Sequence, residues 1–149
     1  MRFHLIDRLD AWEAGRRVRA TKLASLSEEH WEAGPDGPRM PAALVIEAFL
    51  QAGTWLVMAS TDRRRRAALL SVGELRLLGA VRPGDALELE GVVETMGDDV
   101  AVLSGSGRVG ETVVLECTDV MCALIDADDL EAPEDTARMH ELLTRGGTR

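Results

Sequence analysis

From Ala42 to Ser60 the chain runs through nineteen residues with a single charge, Glu47. The clearly polar residues beside it are Gln51, Thr54 and the terminal Ser60. The run predicts a helix of about five turns at 3.6 residues per turn. Pro41 suits its entry, because proline is tolerated at a helix start, and the charged stretch Asp62 to Arg66 marks its end. A helix apolar on nearly every side must be covered on every side. Glu47, Gln51 and Thr54 stand at i, i+4 and i+7, so they share one face. A carboxylate in such a helix is costly unless it is paired or used. Three readings follow. A membrane span has the right length and a basic flank of four arginines, but an internal Glu, a Pro/Gly-rich segment in front and a strand-rich remainder oppose it. A structural carboxylate would tie down a neighbouring loop. A catalytic or substrate-orienting carboxyl would be held by Gln51.

The rest of the chain reads as the cover. Residues 3–12 and 16–25 are expected to be strands around the turn Glu13-Ala14-Gly15, with Val18, Ala20, Lys22 and Ala24 on one face. Residues 27–41 hold Gly34, Pro35, Asp36, Gly37, Pro38 and Pro41 and read as a loop. Four further strands are expected at Leu69–Leu78, Ala86–Thr95, Val100–Val109 and Thr112–Ile125. The short turns between them predict an antiparallel meander. The expectation is an α+β domain over 1–125, an antiparallel sheet wrapped around one long central helix. Its sheet edges invite pairing with a second subunit. Residues 126–149 form an acidic tail with seven acids and three arginines, in which Pro133–Thr144 reads as a short helix.

Composition sets the outer limits. The chain has 149 residues, one domain's worth, and a formal charge of −9. Broad nucleic-acid binding calls for a basic face, and aromatic residues make up only 3%, too few for a base-stacking platform. Cys117 and Cys122 lie five apart, a spacing that puts strand residues on opposite faces, so they are expected to be unpaired buried thiols. No CxxC or Cys/His cluster suggests a metal. The N-terminal ten residues, with Arg2, Asp7, Arg8 and Asp10, lack the apolar core of a signal peptide, so the expected compartment is the cytoplasm.

Several segments, in order, resemble the 3-hydroxyacyl-acyl-carrier-protein dehydratases of fatty-acid and polyketide synthesis, which have the hotdog fold. Phe3-His4-Leu5-Ile6-Asp7-Arg8 and the run Glu13 to Lys22 are similar to that family's opening hairpin. Pro38-Arg39-Met40-Pro41 followed by Leu44 to Ala48 and Gln51-Ala52 resembles its loop and central helix. Val81-Arg82-Pro83-Gly84-Asp85 resembles a strand turn, and Val120 to Ala123 the last strand. The resemblance implies a dimer with sheets paired edge to edge and an acyl tunnel between subunits. It also implies a site in which a loop His and a helix carboxyl from different subunits remove the C2 proton and expel the C3 hydroxyl as water. Glu47 matches the carboxyl, Gln51 the residue that orients it, and Pro41 opens the helix. The backbone N–H of Ala42 falls where the thioester carbonyl would be polarised. Ala33 stands where the family's loop has His. The nearest imidazole is His30, while His4 and His140 have no motif behind them.

That pattern implies a subunit giving Glu47 to a site completed by a His-bearing hotdog partner. The alternatives are a non-catalytic acyl-thioester-binding or scaffold subunit, and a self-sufficient homodimer using His30 or a water held by Glu47 and Asp36. Either active form takes its substrate from acyl carrier protein and calls for no cofactor, metal, membrane or nucleic acid. The carrier is acidic, and Arg63, Arg64, Arg65 and Arg66 form the longest basic run available to dock it.

Overall fold

The computed structural model describes residues 3–149; Met1 and Arg2, the first two of the N-terminal ten residues that lack a signal-peptide core, lie outside the described residues. Helix α1 spans Ala42–Ser60. Pro41 caps it with extended dihedrals, and its carbonyl accepts from the N–H groups of Leu44 and Val45. At the other end Asp62 and Arg63 take left-handed φ values of 50° and 63°, and Arg63 N–H closes on the Met58 carbonyl at 2.7 Å. Such a reversal of backbone hand ends a helix.

Among the described residues there are eight strands: β1 (Arg8–Glu13), β2 (Arg17–Leu23), β3 (Glu32–Gly34), β4 (Gly37–Arg39), β5 (Arg65–Leu77), β6 (Ala86–Met96), β7 (Val100–Val109) and β8 (Thr112–Asp126). Six of them form one antiparallel sheet in the order β1-β2-β6-β7-β8-β5. The expected meander therefore covers only β6, β7 and β8. β5 pairs with β8 instead of its successor β6, with Leu75 opposite Cys117 and Val72 opposite Val120. The segment 27–41, read as a loop, contains the small hairpin β3–β4, in which Gly34 pairs with Gly37 around Pro35-Asp36. The first strand begins at Arg8, and Phe3 to Asp7 run alongside without joining the sheet.

The sheet's concave face supplies the cover that α1 requires. Val45, Ala48, Phe49, Ala52, Trp55 and Leu56 are buried along the helix. They belong to one core with Leu9, Val18, Ala20, Leu87, Leu89 and Leu103 from the strands. The helix is apolar and long enough to cross a bilayer, and here the same apolarity is spent on a protein core. Phe49 sits over two facing glycines, Gly91 of β6 and Gly105 of β7. A Cβ on Gly105 would come within 2.5 Å of the Phe49 ring and 2.0 Å of the Glu90 carbonyl. Bare backbone at that pair is what lets helix and sheet approach. Lys22, on the inward face of β2, is 5% exposed and ion-paired with Glu28.

Both cysteines are buried and free, but not on opposite faces as their spacing suggested. β8 carries an extra residue against β7 between the pairs Leu103–Val120 and Gly105–Cys117. Thr118 and Asp119 both face solvent there, and Asp119 has φ 52°. This bulge resets the alternation, so Cys117 and Cys122 both point inward. Burial pushes the Cys117 thiol up to about 11, which removes it from thiolate chemistry.

After a 3₁₀ turn at Ala127–Asp129, helix α2 (Pro133–Leu143) returns over the β1 side. Its His140 stacks on Trp55 with ring centroids 5.9 Å apart and meets Trp12 edge-on at 6.2 Å. The last residues reach β1, where Trp12 N–H donates to the Thr148 carbonyl and Thr148 N–H to the Asp10 carbonyl, both at 3.0 Å. Burial, and then the nearby Arg63 and Arg149, lower the His140 pKa, with Glu141 opposing. The folded state thus binds fewer protons than the unfolded one below the ordinary imidazole value. Stability from this contact is complete above about 6.5 and is lost as pH falls through the lowered folded value. Melting temperatures measured from pH 7.5 to 5 (about one unit either side of the imidazole range) are expected to fall more steeply for the wild type than for His140→Phe, which keeps the ring without the proton. Parallel curves would contradict this role for His140.

Candidate functional site

The polar face of α1 opens into a cleft of about 320 Å³ between the helix, the start of β5 and the N-terminal segment. Glu47, Gln51 and Thr54 all line it, as their spacing predicts. Glu47 is half-buried on the second turn of the helix. Gln51, one turn on, donates from Nε2 to Glu47 Oε1 at 3.0 Å. The same side chain also holds the N-terminal segment. Its Nε2 donates to the Phe3 carbonyl at 3.0 Å, and its Oε1 accepts from Leu5 N–H at 2.8 Å. Thr54 ties the helix to β5: its hydroxyl donates to the Ala67 carbonyl at 3.1 Å and accepts from Ala67 N–H at 3.0 Å. Leu50, Trp55 and Met58 are among the apolar residues of its lining. A carboxyl oriented by an amide in a partly apolar cleft is an arrangement suited to proton transfer on an acyl chain.

The other residues singled out from the sequence fall elsewhere. Pro41 and Ala42 lie at the helix start, about 7.5 Å along the axis from Glu47 at 1.5 Å per residue. Ala42 lines a second cleft of about 610 Å³, together with Arg39 of β4 and Arg82. As the first residue of the helix, Ala42 has an N–H with no intrahelical acceptor. His30 lies before β3, on the far side of a Lys22–Glu28 ion pair, and lines neither cleft. Its Nε2 is 2.7 Å from Glu28 Oε2 but lacks hydrogen-bond alignment, so that contact depends on the ring's charge. The four arginines divide. Arg65 and Arg66 stand on β5 and pair with Asp126 and Glu131, whereas Arg63 and Arg64 are exposed in the turn after the helix.

One residue that the motifs did not single out does reach the cleft. His4 lines it together with Glu47 and Gln51. Its signal was faint: a lone imidazole in the opening segment, forty-three positions before Glu47. Its proximity to that residue exists only in three dimensions.

A six-stranded antiparallel sheet wrapped around a central helix that carries a buried-edge carboxyl defines a hotdog-fold protein. Residues 1–118 match the FabA-like domain, and the chain belongs to that family. Among its relatives, the 3-hydroxyacyl-[acyl-carrier-protein] dehydratase FabZ of Symbiobacterium thermophilum is 35% identical over 127 residues, covering 84% of this chain and 89% of the relative. The FabZ of Halalkalibacterium halodurans is 32% identical over 124 residues, covering 82% and 88%. Among solved structures, the dehydratase heterocomplex ApeI:P of Xenorhabdus doucetiae shares the fold with a TM-score of 0.62 and 14% identity, over 91% of this chain and 88% of that one.

Proposed function

We propose that this chain is a dehydratase-type subunit acting on 3-hydroxyacyl thioesters presented by acyl carrier protein in the cytoplasm. The observation that carries the reading is the Glu47–Gln51 pair on the central helix, lining a cleft together with Leu50, Trp55 and Met58. The curated relatives' shared name supplies the reaction class. In this reading the acyl chain enters that cleft with C2 and C3 beside the Glu47 carboxyl. The C2–H bond breaks, a C2–C3 double bond forms, and the C3 hydroxyl leaves as water.

The cleft lies beside a sheet edge that a second subunit would cover. β5 is an edge strand of the sheet, and its Leu69, Leu70, Leu75 and Leu77 are between 36% and 57% exposed. An apolar edge of that length is a template for a second chain. The cleft containing Glu47 is bounded by the start of the same strand, so a subunit paired there would roof it. The exposed Arg63 and Arg64, in the turn that leads from the helix into this strand, are the docking cations for the acidic carrier.

The test is conversion of 3-hydroxyacyl-carrier protein by the full chain, alone and mixed with a His-bearing hotdog subunit, with native mass spectrometry of each sample. Enoyl product from a dimer of either kind supports the reading. A dimer that retains the acyl carrier but forms no product in either sample supports the scaffold role instead.

A further inference from the structure

Gln51 does two things with one side chain: it holds the Glu47 carboxyl, and it clamps the peptide groups on both sides of His4. Its amide donates to the carbonyl of Phe3 and its oxygen accepts from the N–H of Leu5, so residue 4 is bracketed at 3.0 and 2.8 Å. The segment is fixed further on by Asp7, whose N–H donates to the Thr21 carbonyl and whose carboxylate accepts from Leu23 N–H. Leu5 and Ile6 are buried in the core. An exposed imidazole is thereby anchored at the rim of the cleft that Glu47 lines. His30, the imidazole nearest the family's loop position, lies outside that cleft against Glu28.

We infer that His4 is the imidazole partner of Glu47, so that one chain supplies both proton-transfer groups to the cleft. This rests on the dehydratase reading above and adds to it the identity of the second group. The pair holds one mobile proton. The member without it accepts the C2 proton, the electrons of that bond form the double bond, and the C3–O bond breaks. The other member's proton goes to the departing oxygen, which leaves as water. The pair ends with its one proton on the opposite member, and transfer back across the cleft resets it. Nothing is oxidised or reduced, and no further reactant is needed. Gln51 is the positioning residue for both groups.

The experiment uses the full chain with 3-hydroxyacyl thioesters of N-acetylcysteamine, comparing the wild type, His4→Ala and Glu47→Gln. His4 is exposed, so its truncation leaves the fold intact. The expected result is a fall in kcat of about 10²–10⁴-fold for His4→Ala, with KM little changed and part of the rate restored by added imidazole. A merely structural role would show no such rescue. Wild-type kcat in His4→Ala beside a dead Glu47→Gln would overturn the inference and leave the dehydratase reading standing. So would a loss confined to KM without imidazole rescue, or turnover that appears only when a second, His-bearing subunit is added. Wild-type rates in Glu47→Gln would remove the dehydratase reading itself, and the pair with it.

Discussion

Replacing Glu47 by Gln is expected to lower the rate of 3-hydroxyacyl thioester dehydration by about 10²–10⁴-fold, or roughly 3–5 kcal/mol of barrier at 1.36 kcal/mol per tenfold. The substitution keeps the side chain's length and an acceptor oxygen for the Gln51 amide. The helix, the clamp on Phe3 and Leu5, and the cleft should all persist, and only the exchangeable proton goes. The loss should therefore appear in kcat, with the melting temperature and KM close to those of the wild type. Glu47→Asp keeps the acid but withdraws it by one methylene, and should fall between the two. Steady-state kinetics beside thermal melts on the same samples check both statements. A Glu47→Gln protein that melts early would mean that the carboxylate is structural.

Phe49→Ala is expected to cause the largest loss of stability of any single truncation along α1. Phe49 is 1% exposed and fills the space above the Gly91–Gly105 pair. No neighbouring side chain grows from either glycine to refill it. Large-to-small changes of this kind cost about 3–5 kcal/mol, which for a chain of this size lowers Tm by on the order of 10 °C. Calorimetry of wild type and variant measures it directly. A drop of a degree or two would show that the helix does not depend on this contact. The mirror-image change, a Cβ added at Gly105, meets the Glu90 backbone carbonyl as well as the Phe49 ring, so a rotamer shift alone cannot relieve it.

The helix was legible in the sequence because its signals are local and agree. An apolar run, a proline at the entry and a charged exit specify α1 without reference to anything distant, and the i, i+4, i+7 spacing placed Glu47, Gln51 and Thr54 on one face. Strand existence was legible for the same reason. Strand partnership was not: the β5 residues say that a strand forms, but the choice of β8 over β6 depends on the path of the connection through 78–85. The bulge at Asp119 defeated a parity argument that assumed an unbroken strand, so the two cysteines turned out to share a face. The hairpin β3–β4 is only three residues per strand, too short for any periodicity to show.

The candidate site divides in the same way. Glu47 and Gln51 are one helical turn apart, a relation that sequence encodes. Ala42 and His30 were reached by matching a loop motif, and the fold puts neither in the Glu47 cleft. His4 is brought there by long-range hydrogen bonds spanning forty-six and forty-eight positions. Among Arg63 to Arg66, entry into β5 converts the last two into partners of Asp126 and Glu131, a division invisible in a run of identical residues.

The central claim is that the carboxyl on α1 takes part in the proton transfers by which a 3-hydroxyacyl thioester loses water. The most direct measurement is deuterium incorporation at C2 when the 2-enoyl thioester is incubated with the protein in D₂O and read by mass spectrometry, since hydration runs the same steps in reverse. The wild type should return 3-hydroxyacyl product carrying deuterium at C2, and Glu47→Gln should return unlabelled enoyl starting material. Equal labelling by both proteins would contradict the account.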